Sequence, residues 1–178
     1  MKSFFESKNL LLIGVDLQEK LLKIMYKDLI KNANILLDAA KILKLEILLS
    51  ELYPKGLGNT DKMINAGGIE IYEKTSFSVF GDEKIAAKIK DLKPKTLVFF
   101  GVETHICVLF SVLDALNLGF DVLVIEDCLS SRSEQNHTNA LNLMRENKAK
   151  ITCVESFLFG ILKDAKNENF KAISALIK

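Results

Sequence analysis

The sequence predicts a three-layer α/β fold, with a mainly parallel six-stranded sheet between two layers of helices. Three observations carry this expectation. Strand-like and helix-like segments alternate along the chain. Most strand candidates are short, continuous apolar runs of the kind a sheet buries on both faces. The 178 residues, 49% hydrophobic and 26% charged, suit one domain, 1–178, with a sizeable core.

The elements follow in order. "LLLIGVD" (10–16) is the first strand, and 28–43, with apolar residues at helical spacing, is the first helix. "LEILLSE" (45–51) is the second strand. "YPKGLGNT" (53–60) is turn chemistry, holding one of the two prolines and two of the nine glycines. "IEIYEK" (69–74) alternates as a third strand, and "DEKIAAKIKDL" (82–92) is an amphipathic helix. "TLVFFG" (96–101), "DVLVIED" (121–127) and "KITCVE" (150–155) are the remaining strands, each followed by a helix pattern. No repeat, low-complexity tract or linker interrupts them, so the order of elements reads as a Rossmann-like layered domain.

Composition excludes several function classes. The formal net charge is +1, from 24 basic and 23 acidic residues, and no basic patch dominates. Neither a nucleic-acid partner nor ribonuclease activity is therefore expected, as no basic groove or aromatic–basic interleaving appears. The apolar run near the N-terminus is too short to span a bilayer and lacks a small-residue cleavage site, so no membrane partner is expected. Three cysteines, at 107, 128 and 153, show no C-x-x-C spacing and read as reduced thiols of a cytoplasmic protein. With only His105 and His137 present, neither a metal nor another cofactor is expected. His137, in "SSRSEQNH", reads as a surface residue near a helix start.

In open parallel sheets, ligands bind outside the carboxyl ends of the strands. Asp16 ends the first strand here, Lys74 the third, and the fourth leads through Gly101 into "VETHIC". Thr104 is a candidate N-cap for a helix running to about Leu118, which places Cys107 in its first turn. There the helix dipole and unpaired N–H groups favour an anion, so the thiolate is expected to be stabilised. A lysine beside it strengthens that effect, and a carboxylate is positioned to take the thiol proton. Each residue also has a plainer reading. Cys107 is ordinary core filler, like Cys128 and Cys153; Asp16 caps a turn; Lys74 is a solvated strand end; His105 is a loop residue.

The stretches "IGVDLQEKLL" (13–22), "SELYPKGLGNT" (50–60), "YEKTSFSVF" (72–80), "GVETHICV" (101–108), "DCLSSRSEQNH" (127–137) and "FKAISALIK" (170–178) together resemble the isochorismatase-like (cysteine hydrolase) superfamily. Within it, the chain is similar to isochorismatase-domain-containing proteins of unassigned substrate. The resemblance runs from about Leu11 to the C-terminus. It implies a catalytic triad of Asp16, Lys74 and Cys107, a cis peptide at Val102–Glu103, and an oxyanion hole from the backbone N–H groups of Glu103 and Cys107. The metal-holding relatives, the nicotinamidases, carry histidines after the second strand; this chain reads "ELYPKGLG" there and has none. Leu52 stands where close relatives often carry glutamine. The implied activity is hydrolysis of a small amide or related C–N bond through a thioester. Alternatives are a non-catalytic interaction protein on the same scaffold, or an isochorismatase- or nicotinamidase-type hydrolase. Leu52, Tyr53, Phe77 and His105 are the expected pocket wall. A homo-oligomer is expected, because "FLFGILKDA" (157–165) is more apolar than one buried helix face requires.

Overall fold

A computed structural model describes residues 9–178; the start of the N-terminal segment, residues 1–8, lies outside the described residues. The strands are β1 (Leu10–Val15), β2 (Glu46–Leu52), β3 (Glu70–Lys74), β4 (Thr96–Val102), β5 (Asp121–Ser130) and β6 (Lys150–Thr152). The helices are α1 (Glu19–Leu22), α2 (Ile30–Ile42), α3 (Pro54–Leu57), α4 (Glu83–Leu92), α5 (Leu109–Asn117), α6 (Glu134–Glu146), α7 (Val154–Leu162) and α8 (Phe170–Ile177). The strands form one sheet in the order β3-β2-β1-β4-β5-β6, with every neighbouring pair parallel. None of the described helices is long and apolar enough to cross a membrane.

Strand alternation divides the core. Leu10, Leu12, Val98, Phe100 and Leu123 face one layer, where they meet α2, α7 and α8 through residues such as Leu36, Phe157 and Ile173. Leu11, Ile13, Val15, Leu97, Phe99 and Val124 face the other, against Ile85 and Ile89 of α4, Val112 of α5 and Met144 of α6. Both faces of β1 and β4 are thus buried, which is why their sequences are continuous apolar runs. Truncating a fully buried Phe99 or Phe100 to alanine costs about 3–5 kcal/mol.

Two strand ends depart from the sequence reading. β5 runs three residues further than expected, because its register against β4 jumps from Phe99↔Val124 to Gly101↔Leu129. β6 stops early because Cys153 becomes the extended cap residue of α7. The apolar excess of residues 157–165 is used within the chain: Phe157, Leu158 and Leu162 are buried, and Phe159 meets Phe170 of α8 with ring centroids 6.0 Å apart. That segment therefore does not supply the free apolar face on which an oligomer was expected.

The chain winds outward from β1 toward β3 and then returns to place β4 on β1's other side. Such a reversal opens a crevice at the carboxyl ends of the two central strands. Gly101 closes its floor. Its φ is +114°, and a Cβ there would strike the Val15 carbonyl, so only glycine lets β1 and β4 approach so closely.

Candidate active site

Asp16 follows β1 directly and adopts a left-handed backbone, φ 53°, a conformation that aspartate tolerates better than most residues. Its N–H donates to the Ser50 carbonyl at 3.0 Å, and its Oδ1 accepts from Ser50 Oγ at 2.7 Å. Oδ2 accepts from Lys74 Nζ at 2.8 Å. Both side chains are fully buried. The ammonium also donates to the carbonyls of Ser76 and Phe77, each at 3.1 Å, so all three of its protons have an acceptor. A buried ion pair is tolerated only when its hydrogen bonds are satisfied in this way. Lys74 is thus a fixed internal cation, and not a solvated strand end.

Cys107 reaches the same place from β4. The Val102–Glu103 peptide is cis. The chain then turns through Thr104–Val108 as one wide π-type turn, with Val108 N–H donating to the Glu103 carbonyl at 3.3 Å. Such turns interrupt α-helices and recur at functional positions. Two expectations need correcting here. The cap position is Glu103, not Thr104; the Thr104 hydroxyl instead donates to the Ser130 carbonyl at 2.9 Å. His137 does lie near the start of α6, but it is buried, because its Nδ1 bonds that same Thr104 hydroxyl at 2.9 Å. Burial, and then the Lys27 ammonium, push its imidazole down to about 4.

The thiol itself also differs from expectation. Burial pushes Cys107 well above the usual thiol range, and the neighbouring Asp16 charge adds to this. Lys74 pulls the other way, while a side-chain hydrogen bond to Asp16 and the charge of Glu103 again raise it. The expected stabilised thiolate is therefore absent at rest. Desolvation of a cysteine only 4% exposed outweighs the turn's N–H groups and the one cation. What the site presents is a buried thiol, disfavoured as thiolate, with a side-chain hydrogen bond to Asp16.

Cys107 opens into a small cavity of about 120 Å³, lined by Leu21, Leu52, Phe77, Glu103, Ile106 and Cys107. Two of the four expected pocket-wall residues, Leu52 and Phe77, thus line this cavity. Tyr53 lines a different cleft, with Glu73 and Lys84, and His105 sits in a shallow groove against α6, its Nδ1 3.0 Å from Ser131 Oγ. The sequence reading missed Leu21, Ile106, Ser50 and the Glu103 side chain. Ser50 was within reach of it, since it pairs in register with Val15, one residue before Asp16. Gln18 is buried and fixes the cavity's edge: its Oε1 accepts from Leu52 N–H at 2.7 Å, and its Nε2 donates to the Leu52 and Gly58 carbonyls. Among the described residues, no group of three or more His, Cys, Asp or Glu is arranged to hold a metal, and the three cysteines are free.

The isochorismatase domain family matches residues 10–156, which take in all three central side chains. The chain belongs to the isochorismatase family. It is 37% identical over 166 residues to isochorismatase domain-containing protein 2 of Xenopus laevis, covering 91% of this chain and 80% of that one. It is 36% identical over 156 residues to a secreted isochorismatase effector of Phytophthora sojae, covering 84% and 74%. Among solved structures, a protein described as the MAR1 ribonuclease of Caenorhabditis elegans superposes with a TM-score of 0.90 at 32% identity, covering 97% of this chain and 91% of that one. The all-parallel sheet flanked by helices is thus the isochorismatase-family hydrolase fold.

Proposed function

We propose that this isochorismatase-family protein is a cysteine hydrolase of a small amide or related C–N bond, working through a thioester on Cys107. The observation that supports this most is the fully buried Asp16 carboxylate, shared between the Lys74 ammonium and the Cys107 thiol. Core filler has no use for such an arrangement. Asp16 takes the thiol proton as sulfur attacks the carbonyl carbon, so the thiolate forms only as the bond is made. The negative charge that moves from Asp16 to the sulfur stays beside Lys74, which lowers its cost. The backbone N–H groups of Glu103 and Cys107 bind the developing oxyanion. Collapse breaks the C–N bond, and Asp16 returns its proton to the leaving amine. Asp16 then activates a water, whose oxygen displaces sulfur and restores acid product and free thiol.

The cavity size favours a small acyl group, packed on Leu21, Leu52, Phe77 and Ile106. No metal or other cofactor enters this scheme. Three unpaired thiols support a cytoplasmic setting. A homo-oligomer is part of the proposal on different grounds from the sequence reading. Phe77 and Phe110, 56% and 43% exposed, lie with ring centroids 6.4 Å apart beside the cavity mouth.

The deciding experiment is a panel of small amides, esters and an RNA substrate, run with wild type and Cys107→Ala. Amide turnover lost in Cys107→Ala supports the proposal. RNA cleavage without amide turnover would align the chain with its Caenorhabditis relative's description. A Cys107 inert to alkylation, with no turnover of any substrate, would favour an interaction role.

A further inference from the structure

One cavity-lining residue has a side chain that the scheme above does not use. Glu103 is the only formally charged group among the six lining residues. Its Oε2 accepts from the backbone N–H and the Nε of Arg132, both at 3.0 Å. The two partners differ in setting: the glutamate side chain is 8% exposed, the arginine 58%. The arginine is therefore largely exposed to water, where its field is screened, whereas Glu103 is buried and lines a small apolar chamber, where a charge is screened less. The Glu103 charge is felt at the sulfur, where it helps hold the thiol proton on. The Asp16 and Lys74 charges also act at the sulfur and oppose one another there, Asp16 raising the thiol's pKa and Lys74 lowering it.

From this geometry we infer that the Glu103 side chain is a specificity-determining residue, admitting substrates with an N–H donor or a cationic nitrogen near the reacting carbonyl and rejecting carboxylates. The inference rests on the reading of this cavity as the acyl site. A substrate N–H or ammonium that meets Glu103 restores the hydrogen bonding lost on leaving water. A substrate carboxylate placed there has no cation to meet inside the chamber, and like charges brought together in a dry site oppose binding strongly. Small neutral or cationic amides therefore fit the site, and dicarboxylates such as the family name suggests do not.

The test reads the filter directly at sulfur and needs no turnover. In a Cys128→Ala/Cys153→Ala background, Cys107 is treated with three methanethiosulfonates of similar size. The 2-aminoethyl reagent is cationic, the 2-sulfonatoethyl reagent anionic and the methyl reagent neutral. Each transfers its S-alkyl group to sulfur, forming a mixed disulfide and releasing methanesulfinate. Relative to free cysteine, the cationic reagent should be favoured over the anionic one by about tenfold, and Glu103→Gln should reduce that preference to about twofold or less. Arg132→Gln, which removes the screened counter-ion and keeps the carboxylate, should preserve or increase it. A wild-type ratio equal to that of free cysteine overturns the inference, as does a ratio unchanged in Glu103→Gln or one lost in Arg132→Gln. Amide turnover with a flat reagent ratio removes the inference and leaves the hydrolase reading standing; a biased ratio without turnover does the reverse.

Discussion

Lys74 Nζ lies 2.8 Å from Asp16 Oδ2, with both side chains completely removed from solvent. The two residues are 58 positions apart and sit on strands that are not neighbours, since β2 separates β1 from β3. The lysine head group thus meets a carboxylate at the end of a strand two places away in the sheet. Breaking such a pair leaves a buried charge without a partner, which is where its energetic importance lies.

Lys74→Met should therefore destabilise the fold by about 3–5 kcal/mol, since it strands Asp16. Asp16→Asn should also be costly, because it strands the ammonium. The two should shift Cys107 in opposite directions. Lys74 lowers the thiol's pKa and Asp16 raises it, so Lys74→Met should move the pH profile of iodoacetamide alkylation upward and Asp16→Asn should move it downward. A profile left in place by Lys74→Met would separate the lysine from the thiol.

Cys107→Ala should abolish amide turnover, by a thousandfold or more on the order of other lost nucleophiles. The structural loss should be modest, about 1 kcal/mol, since one sulfur beside an existing cavity is removed. Turnover and melting temperature measured on one preparation check both halves. Activity within a few-fold of wild type would exclude thioester chemistry.

The sheet and its edge were legible in the sequence because strands buried on both faces write themselves as unbroken apolar runs. Asp16, Lys74 and Cys107 could be grouped by placing each at a strand's carboxyl end. The thiol's resting state was not legible. Position in a first turn argued for a thiolate, whereas burial, which only the folded core defines, argues against one. His137 was misplaced for a related reason: its partner, the Thr104 hydroxyl, is 33 positions away. Tyr53 follows Leu52 in sequence, but a left-handed backbone, φ 41°, turns it toward a different cleft.

That divergence gives a contrast between neighbours. Phe77→Ala should raise KM for small amides several-fold with little change in stability, because Phe77 lines the cavity yet is 56% exposed. Tyr53→Ala should leave KM within about twofold, as surface substitutions generally do. Steady-state kinetics on the same amide decide it. A Tyr53 effect exceeding the Phe77 effect would move the acyl site to the cleft beside Glu73 and Lys84.

Exhaustive chelation should leave turnover unchanged. The proposed scheme gives the acid–base work to Asp16, and no set of three potential ligands surrounds Cys107 among the described residues. Loss of activity in chelator with recovery on adding zinc, iron or manganese would refute this.

The last expectation is a pH dependence of stability that belongs to His137. In the unfolded chain this imidazole titrates near 6.5, whereas in the fold burial and Lys27 hold it down to about 4. Between those values the unfolded state binds a proton that the folded state refuses. Stability from this group is therefore complete above about pH 6.5 and is lost as pH falls toward 4, by an amount on the order of 1–3 kcal/mol. The group also fastens the turn that carries Cys107. The Thr104 hydroxyl spends its one proton on the Ser130 carbonyl, so Nδ1 of His137 must carry the proton it shares with Thr104. His137→Asn can keep such a donor without a titrating ring, while His137→Leu removes it. Urea midpoints at pH 7, 5.5 and 4.5 should show a shallower decline for His137→Asn than for wild type. Carboxylates shared by both proteins cancel in that difference. His137→Leu should lose stability at every pH, because the Thr104 hydroxyl then lacks one of its buried partners. Equal slopes for wild type and His137→Asn would mean that this imidazole titrates alike in the folded and unfolded states, and that its burial against Thr104 does not govern the protein's acid response.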